Sequence, residues 1–573
     1  MGRFMSADYQ VEGTSQTARF RLTVYRGDGM ALLAMNWKRG KPPNDFVGFA
    51  IEYKEPGGDR YYVLTNRLAF RGAGGALNPN ILSTKLSPIQ MFRWVHFPRN
   101  ADLDGPFLYR VTPVFMNERD ELSYGDAQEA AIELRRETYP GQLNVTFTRG
   151  FVSSQAFVDR YQSAGPISTL LPATAAEGLR FKPTHKKAEE AYDWMGFEAR
   201  RAILAVLDAA IADSTAQVRV IAYDLNEPQI VARLKKLGAR LQIIIDDSAD
   251  HGATGSAENA AAKQLAKSAG AGHVKRQHMS NLQHSKTIVV TGTVQSVVCG
   301  STNFSWRGLY VQSNAALVLQ GTAPVKVFSN AFDAFWAGDT SAFGATKSAQ
   351  WTTLQLTGVN AKATFSPHAS ANAQLATVAA DIGNNTASSL FFSLAFLFET
   401  PGPILNAIKK VMDRNTTFVY GISDRRVGGL DVAKPDASVA PVFPAALTNA
   451  PKPFSDEPTG GGGVRMHHKF IVIDFNRASA RVYTGSYNFS STADLQNGEN
   501  LLLIRDRRVA VSFAIEGLRI FDHYHFRVAQ QEAKKSKGGE LTLKKPPRAP
   551  GEQAWWVPYY TDPRKIHDRE MFA

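Results

Sequence analysis

The feature that most constrains the fold of this chain is an internal repeat, in which two segments share one order of apolar and amphipathic stretches. The first copy runs from 218 to 237 and continues at 241–247, and the second runs from 391 to 411 and continues at 417–424. Each copy is typical of a strand, an amphipathic helix and a second buried strand. Because a helix that joins two parallel strands covers one face of their sheet, the repeat predicts an α/β fold built from two sandwich-like halves.

Each copy is followed by the same set of polar residues on a predicted β hairpin that ends in Gly-Ser-x-Asn-Phe-Ser. The shared residue types are one His, one Lys, one Ser and one Asn: His284, Lys286, Ser301 and Asn303 in the first copy, and His467, Lys469, Ser486 and Asn488 in the second. Since residues i and i+2 of a strand share a face, the His and the Lys of each copy point the same way. Two such hairpins that face each other would surround one small space with paired imidazoles, ammonium groups and amides.

Paired cations and amide donors suit a phosphoryl group, whose negative charge lies on its non-bridging oxygens. A neutral imidazole can attack phosphorus as a nucleophile, and a protonated one can donate to the leaving oxygen. Histidine serves both purposes near neutral pH because its ordinary pKa is about 6.5. An ammonium two residues from each His argues against a metal site, since it has no lone pair and repels a cation.

These residues resemble the phospholipase D superfamily, whose motif is HxK, four residues, Asp, and then a GSxN-type segment. The second copy matches in full, with Asp474 as the motif Asp, whereas Thr291 stands at that position in the first copy. The acidic residue that often follows the second motif is Glu499, before Asn500, and the first copy has Ser313-Asn314 there. The two halves are therefore unequal, with a supporting carboxylate missing from one of them.

The resemblance implies a two-step transfer through a covalent phosphohistidine, without a metal or other cofactor. His284 is then the nucleophile and His467 the acid and base, although the reverse assignment stays open. Lys286, Lys469, Asn303 and Asn488 would bind the phosphoryl oxygens. The remaining motif residues would support the site: Ser301, Ser486, Glu499 and Asp474, of which Asp474 counts with the catalytic motif.

The domain organisation predicted from the chain has five parts. Residues 1–137 show short alternating runs with turn residues between them, which indicate an all-β sandwich that resembles a fibronectin type III domain. Residues 138–190 are interpreted as a connector, 191–345 and 346–530 as the two phospholipase D-like halves, and 531–573 as a tail that is first basic and then aromatic. We expect the aromatic part of the tail to pack on a domain; a nucleic-acid or membrane contact is the alternative.

Charge and composition bear on the partner. The chain has 65 Lys and Arg residues and 52 Asp and Glu residues, so its formal net charge is 65 − 52 = +13. This positive charge fits an anionic phosphodiester substrate, either a phospholipid or a nucleic acid. The presence of both motifs in one chain narrowly favours a phospholipid, with peripheral membrane contact; a metal-independent nuclease is the alternative, and a catalytically impaired binding protein is the third reading. The single cysteine excludes an intramolecular disulfide and a Cys-rich metal site. Without a signal peptide or a transmembrane segment in the sequence, a cytoplasmic location is expected, and the oligomeric state stays open.

Overall fold

A computed structural model describes residues 8–71, 82–134, 137–150, 154–397, 400–414, 417–423, 466–535 and 541–573. The described chain divides into two compact units. Unit 1 joins the residues before 137 to those from 514 onward, and unit 2 holds the residues of 137–513. The four consecutive glycines at 460–463, and Lys537 of the basic part of the tail, lie outside the described residues.

The strands of unit 1 are β1 to β9: Gln10–Glu12, Phe20–Arg26, Ala31–Trp37, Phe46–Lys54, Tyr62–Val63, Arg93–His96, Pro106–Met116, Leu122–Tyr124 and Gln128–Glu133. The strands of unit 2 are β10 to β23: Leu143–Phe147, Gln217–Ala222, Leu241–Ile245, Val274–Arg276, Lys286–Thr291, Ser296–Gly300, Ala315–Gln320, Thr352–Thr353, Asn360–Ser366, Ser389–Leu394, Phe418–Ile422, Lys469–Ile473, Arg481–Gly485 and Glu499–Arg505.

The helices are α1 to α12: Ser154–Tyr161, Ala188–Ala212, Pro228–Leu237, Ala249–Gly252, Ala257–Ala269, Thr322–Ala337, Leu375–Asn385, Pro403–Met412, Ser491–Leu495, Arg507–Lys535, Pro558–Thr561 and Pro563–Met571. Among the described residues, none of these helices is both long and apolar enough to cross a membrane.

Unit 1 contains an all-β region, as the alternating sequence predicts. One sheet has the order β1-β2-β3-β6 and the other the order β5-β4-β7-β8, with β9 paired to β7. The likeness to fibronectin type III stays a prediction. The aromatic part of the tail packs into the core of this unit: the Trp555 ring lies 5.5 Å from Phe46 and 5.3 Å from Phe92, and its Nε1 donates to the carbonyl of Phe46 at 3.0 Å. Packing was the expected role of these aromatic residues.

Unit 2 contains two seven-stranded sheets that share a six-stranded topology, with β13 and β17 as additional strands at opposite ends. Their orders are β10-β16-β15-β14-β11-β12-β13 and β17-β18-β23-β22-β21-β19-β20. In the first sheet, β11 and β12 are parallel and are joined by α3; in the second, β19 and β20 are parallel and are joined by α8. The predicted α/β fold with two phospholipase D-like halves is therefore confirmed.

The repeat is longer than the amphipathic pattern indicates. Strand β10, which comes from the segment 138–190 interpreted as a connector, pairs with β16 at the edge of the first sheet. Strand β18 pairs with β23 in the corresponding place of the second sheet. Both are single strands far along the chain from the partners they pair with, so no local periodicity links them to a half.

Candidate active site

The two sequence motifs meet in unit 2. Lys286 is the first residue of β14 and Lys469 the first residue of β21, so each motif His lies two residues before its strand. The ring centroids of His284 and His467 are 6.4 Å apart, and each residue is only 4% exposed. At that separation a single phosphoryl group can contact both imidazoles.

The Gly-Ser turns after the hairpins require glycine. Gly300 has φ +136° and Gly485 has φ +139°, which side chains rarely adopt. A Cβ at these positions would lie 2.4 Å from the carbonyl oxygen of Ala315 and 2.2 Å from that of Asn500. The following serine in each half accepts a hydrogen bond from the neighbouring strand: Ser301 Oγ from the amide of Ala315 at 3.0 Å, and Ser486 Oγ from the amide of Asn500 at 2.9 Å. Both serines thus hold the backbone next to the site.

The imidazoles are oriented by residues from the opposite halves. His284 Nδ1 donates to Glu499 Oε2 at 2.8 Å, because a carboxylate only accepts. His467 Nδ1 pairs with Asn314 Oδ1 at 2.7 Å, and the Nδ2 of that amide donates to the carbonyl of Gly308 at 2.8 Å, which fixes its orientation. Each His therefore carries its proton on Nδ1 and presents Nε2 to the space between the rings.

The unequal partners give the two imidazoles different electrostatic surroundings. Burial lowers the pKa of His284, and the negative charge of Glu499 opposes that shift. Burial also lowers the pKa of His467 to well below its ordinary value, and there the nearby Lys469 and Lys286 add to the shift. Burial alone would raise the pKa of Glu499, but the charge and hydrogen bond of His284 outweigh it and the pKa is lowered, so this carboxyl is ionised. His284 alone has an anionic partner.

The two lysines also differ. Lys286 donates to the carbonyl of His284, whereas Lys469 Nζ lies 3.0 Å from the carbonyl and 3.0 Å from the Nε2 of His467. Burial lowers the pKa of Lys286 to about 8 despite the charges of Glu499 and two aspartates. The pKa of Lys469 is lowered further, by burial and by the charge of Lys286. An anion between the lysines would relieve both shifts, as expected for a phosphate site.

The two motif asparagines occupy equivalent places in the halves. The Oδ1 atoms of both Asn303 and Asn488 are buried and have no hydrogen-bond partner. An amide oxygen accepts, so a donor of a ligand would satisfy these atoms, whereas phosphoryl oxygens would have to bind the Nδ2 groups of the same side chains.

Asp474 is not brought to this site. It follows β21 at the end opposite Lys469, and its Oδ1 accepts from the amides of Ala387 and Ser388 at 2.9 and 2.7 Å. In the first half the carboxylate comes from the other turn. Asp213, before β11, accepts hydrogen bonds from the amides of Thr293 and Val294, which follow β14, at 2.8 and 3.2 Å. The motif carboxylate of the second half therefore connects two turns, and Asp213 makes the equivalent connection in the first half, where Thr291 replaces the motif Asp.

An ionic cluster around His251, beside the first motif, is not predicted from the sequence. His251 lies between Asp224 and Asp246, and the ring of Tyr223 lies between His251 and His284. The position of these residues in the sequence could have indicated the cluster. Residues 223–224 and 246 directly follow the two parallel strands β11 and β12, and polar side chains at the carboxyl ends of parallel strands lie at one sheet edge.

Comparisons with known proteins agree with the topology. Residues 207–336 and 385–518 match the family described as "Cardiolipin synthase, PLD-like domain". A 47-residue segment is 47% identical to the phospholipase D of Rickettsia prowazekii (strain Madrid E) and covers 8% of this chain and 21% of that protein. The phospholipase D of Rickettsia felis is 45% identical over 47 residues, which are 8% of this chain and 22% of that protein. The match thus spans about a fifth of the length of these curated relatives.

Two solved structures are similar to parts of this chain. The phosphatidylserine synthase of Haemophilus influenzae Rd KW20 is 14% identical with a TM-score of 0.41, covering 57% of this chain and 85% of that one. Nuc of Salmonella typhimurium, a phospholipase D family member, is 27% identical with a TM-score of 0.21, covering 24% of this chain and 87% of that one. The family match falls on one segment of each half, so both halves are similar to a PLD-like domain.

Proposed function

We propose that unit 2, with its two PLD-like halves, cleaves a phosphodiester through a covalent phosphohistidine. The observation that carries the proposal is the unequal support of two imidazoles whose rings are 6.4 Å apart: His284 on an ionised Glu499, and His467 on the neutral amide of Asn314. A nucleophilic imidazole gains positive charge when it bonds to phosphorus, and a neighbouring carboxylate stabilises that charge. This supports His284 as the nucleophile.

In the first step, His284 Nε2 attacks phosphorus, the N–P bond forms and the bond from phosphorus to the leaving oxygen breaks. The leaving oxygen takes a proton from His467 Nε2. In the free protein the pKa of His467 is too low for that proton to be present, mainly because of burial and the neighbouring Lys469. A bound phosphodiester brings negative charge between these cations and raises the pKa, so protonation of His467 follows substrate binding.

In the second step, His467 Nε2, now neutral, takes a proton from water. The water oxygen bonds to phosphorus, the N–P bond breaks, and His284 returns to its starting form with a phosphomonoester as product. An alcohol in place of water would give a transfer reaction. Lys286, Lys469, Asn303 and Asn488 would hold the non-bridging oxygens through both steps.

A phospholipid is the proposed substrate. The curated relatives are named phospholipase D, and the matched family is described by a cardiolipin synthase. The net charge of +13 favours a second candidate, a nuclease, because a nucleic acid is a strongly anionic polymer.

The test is turnover in EDTA by the purified chain on phosphatidylcholine or phosphatidylglycerol vesicles, on single-stranded DNA and on duplex DNA. Headgroup release supports the lipid substrate, and strand cleavage supports the nuclease. Turnover that depends entirely on an added divalent metal contradicts the mechanism. A folded protein that turns over none of the four and forms no phosphoenzyme is a binding protein.

The roles of the two imidazoles are tested by His284→Asn and His467→Asn. Each should abolish turnover, but only His467→Asn should still accumulate a phosphoenzyme from a substrate with an activated leaving group. The matched control is His278→Gln, because His278 pairs with Asp247 at the surface and is 49% exposed. Phosphoenzyme in His284→Asn but not in His467→Asn would reverse the assignment.

A further inference from the structure

The mechanism above leaves unused an ionic cluster beside the first motif. His251 Nε2 lies 2.9 Å from Asp224 Oδ1, and His251 Nδ1 lies 2.9 Å from Asp246 Oδ2. Glu258 offers a third carboxylate, with ligand-type atoms of Asp224, His251 and Glu258 within 4.8 Å of one another. Both ring nitrogens of His251 are directed at carboxylates, so an imidazolium that donates twice satisfies this arrangement, whereas a metal ligand would need a free lone pair.

The cluster reaches the first motif along the backbone. Asp246 Oδ1 accepts a hydrogen bond from the amide of Gln283, the residue before His284, at 2.7 Å. Glu258 Oε1 accepts from the amide of Leu225 at 3.1 Å, which holds the turn that carries Tyr223 and Asp224. The carboxylates thus fix the residue before the candidate nucleophile and the turn that follows β11.

The cluster reaches the same motif a second time, through an aromatic ring. The Tyr223 ring is 4.4 Å from the His251 ring and 4.6 Å from the His284 ring, with interplanar angles of 72° and 67°. The ammonium of Lys286 lies 4.7 Å from the centroid of the same ring, within the range of a cation–π contact. One ring therefore contacts the imidazole and the ammonium that the first step needs.

Among its residues that the structure describes, the second half has no such cluster at the corresponding sheet edge. Ala222 pairs with Lys286 and Leu394 pairs with Lys469, so Ala395 and Phe396 stand where Tyr223 and Asp224 stand in the first half. Strand β20 is followed by Ser423, where Asp246 follows β12. Within the described parts of both halves, the ionic support therefore lies in the half that carries the candidate nucleophile.

We propose that Tyr223, held in place by the Asp224–His251–Asp246 cluster, is a positioning residue that orients the His284 ring and the Lys286 ammonium for attack on phosphorus. The inference rests on the proposed function. Glu499 fixes one nitrogen of the His284 ring but leaves its tilt about that hydrogen bond free, and the ring of Tyr223, 4.6 Å away, restricts this tilt. The ammonium of Lys286, at the end of a long flexible side chain, contacts the same ring.

The test measures the two chemical steps separately by rapid quench, with bis(p-nitrophenyl) phosphate as the probe. Tyr223→Leu should slow phosphoenzyme formation about 10- to 100-fold, as expected when reacting atoms are misplaced by up to about 1 Å. Breakdown should slow less, because water activation depends on His467. Tyr223→Phe keeps the aromatic ring, so its rate of phosphoenzyme formation should lie within about threefold of the wild-type rate. His251→Gln removes the support of that ring and should also slow phosphoenzyme formation.

Integrity of the fold is checked by the resistance of the buried Cys299 to a thiol reagent, which each variant should retain. A Tyr223→Leu protein that forms phosphoenzyme at the wild-type rate overturns the inference. The inference is also wrong if Tyr223→Phe slows phosphoenzyme formation as much as Tyr223→Leu does, or if Tyr223→Leu slows formation and breakdown of the phosphoenzyme equally. If wild type itself forms no phosphoenzyme, the proposed function fails first and the inference fails with it, so the two failures are distinguished by the wild-type measurement alone.

Discussion

The imidazolium of His251 should make the stability of the first half depend on pH at the alkaline end. Burial would lower the pKa of His251, but hydrogen bonds and charges from Asp224 and Asp246 outweigh it and raise the pKa to about 10. Because the pKa is higher in the folded than in the unfolded chain, the stabilisation is complete below about pH 6.5 and is lost as the pH rises through about 10.

The size of the effect follows from the shift. With about 1.36 kcal/mol per pKa unit and a rise from 6.5 to about 10, the contribution at pH 7 is roughly 4 kcal/mol, of which most is lost by pH 10. The side chain of His251 is 15% exposed and that of Asp224 is 23% exposed, so solvent screening reduces the effect only in part. The perturbation is His251→Gln, which keeps a polar side chain but removes the titrating charge.

The assay is urea unfolding of wild type and variant at several pH values, followed by labelling of Cys299. This thiol is the only one in the chain, lies on β15 in the same sheet as β11 and β12, and is buried, so it reports the opening of the first half. Wild type should exceed the variant by roughly 3–4 kcal/mol near pH 7, and the gap should shrink by about 3 kcal/mol near pH 10. A gap that stays constant between pH 7 and pH 10 would refute an imidazolium at position 251.

Three further predictions concern other parts of the molecule. Asp474→Asn should cost about 2–3 kcal/mol of stability in urea unfolding but change kcat less than about twofold, since the carboxylate binds backbone amides away from the site; loss of turnover in a folded variant would contradict this. Asn314→Asp places a charge at the Nδ1 of His467 and should raise its pKa, so that the limb of the pH–rate profile governed by this group moves upward by about one unit or more, and an unmoved limb would argue against the role of His467. Trp555→Ala should cost about 3–5 kcal/mol in the unfolding of unit 1 and leave the labelling of Cys299 unchanged; equal destabilisation of both units would be inconsistent with the core described above.

Much of the fold of unit 2 can be predicted from the sequence. The strand–helix–strand pattern predicts the parallel pairs, since buried strands and amphipathic helices have distinct periodicities. The two HxK hairpins predict which polar side chains meet, because a strand fixes the direction of alternate residues. The pairing of Glu499 with His284, instead of with the His of its own half, depends on how the halves face each other, and no local pattern contains that information.

The position of Asp474 and the presence of the His251 cluster differ from the sequence-based expectation for related reasons. Asp474 was grouped with the catalytic motif because it is close in sequence, but five strand residues separate it from the site end of β21. His251 lies outside the repeat, and Asp246 lies at the end of its first copy, where the second copy has Ser423 after β20; the second half has no equivalent cluster among its described residues at that sheet edge. Sequence repetition reveals what two halves share, so it is insensitive to the features that make them differ.

The packing of the C-terminal aromatic residues has a consequence for how the chain is made. Trp555, Trp556 and Tyr559 belong to the same buried cluster as Phe20, Phe46 and other residues near the start of the sequence. On a ribosome that adds about 5–20 residues per second, Phe20 and Phe46 would wait roughly 25–105 s for Trp555. During that interval the core around them is incomplete, whereas the described sheet of the first PLD-like half has all its strands as soon as β16 has emerged. The core of unit 1 is therefore completed by a segment that is synthesised long after its β strands.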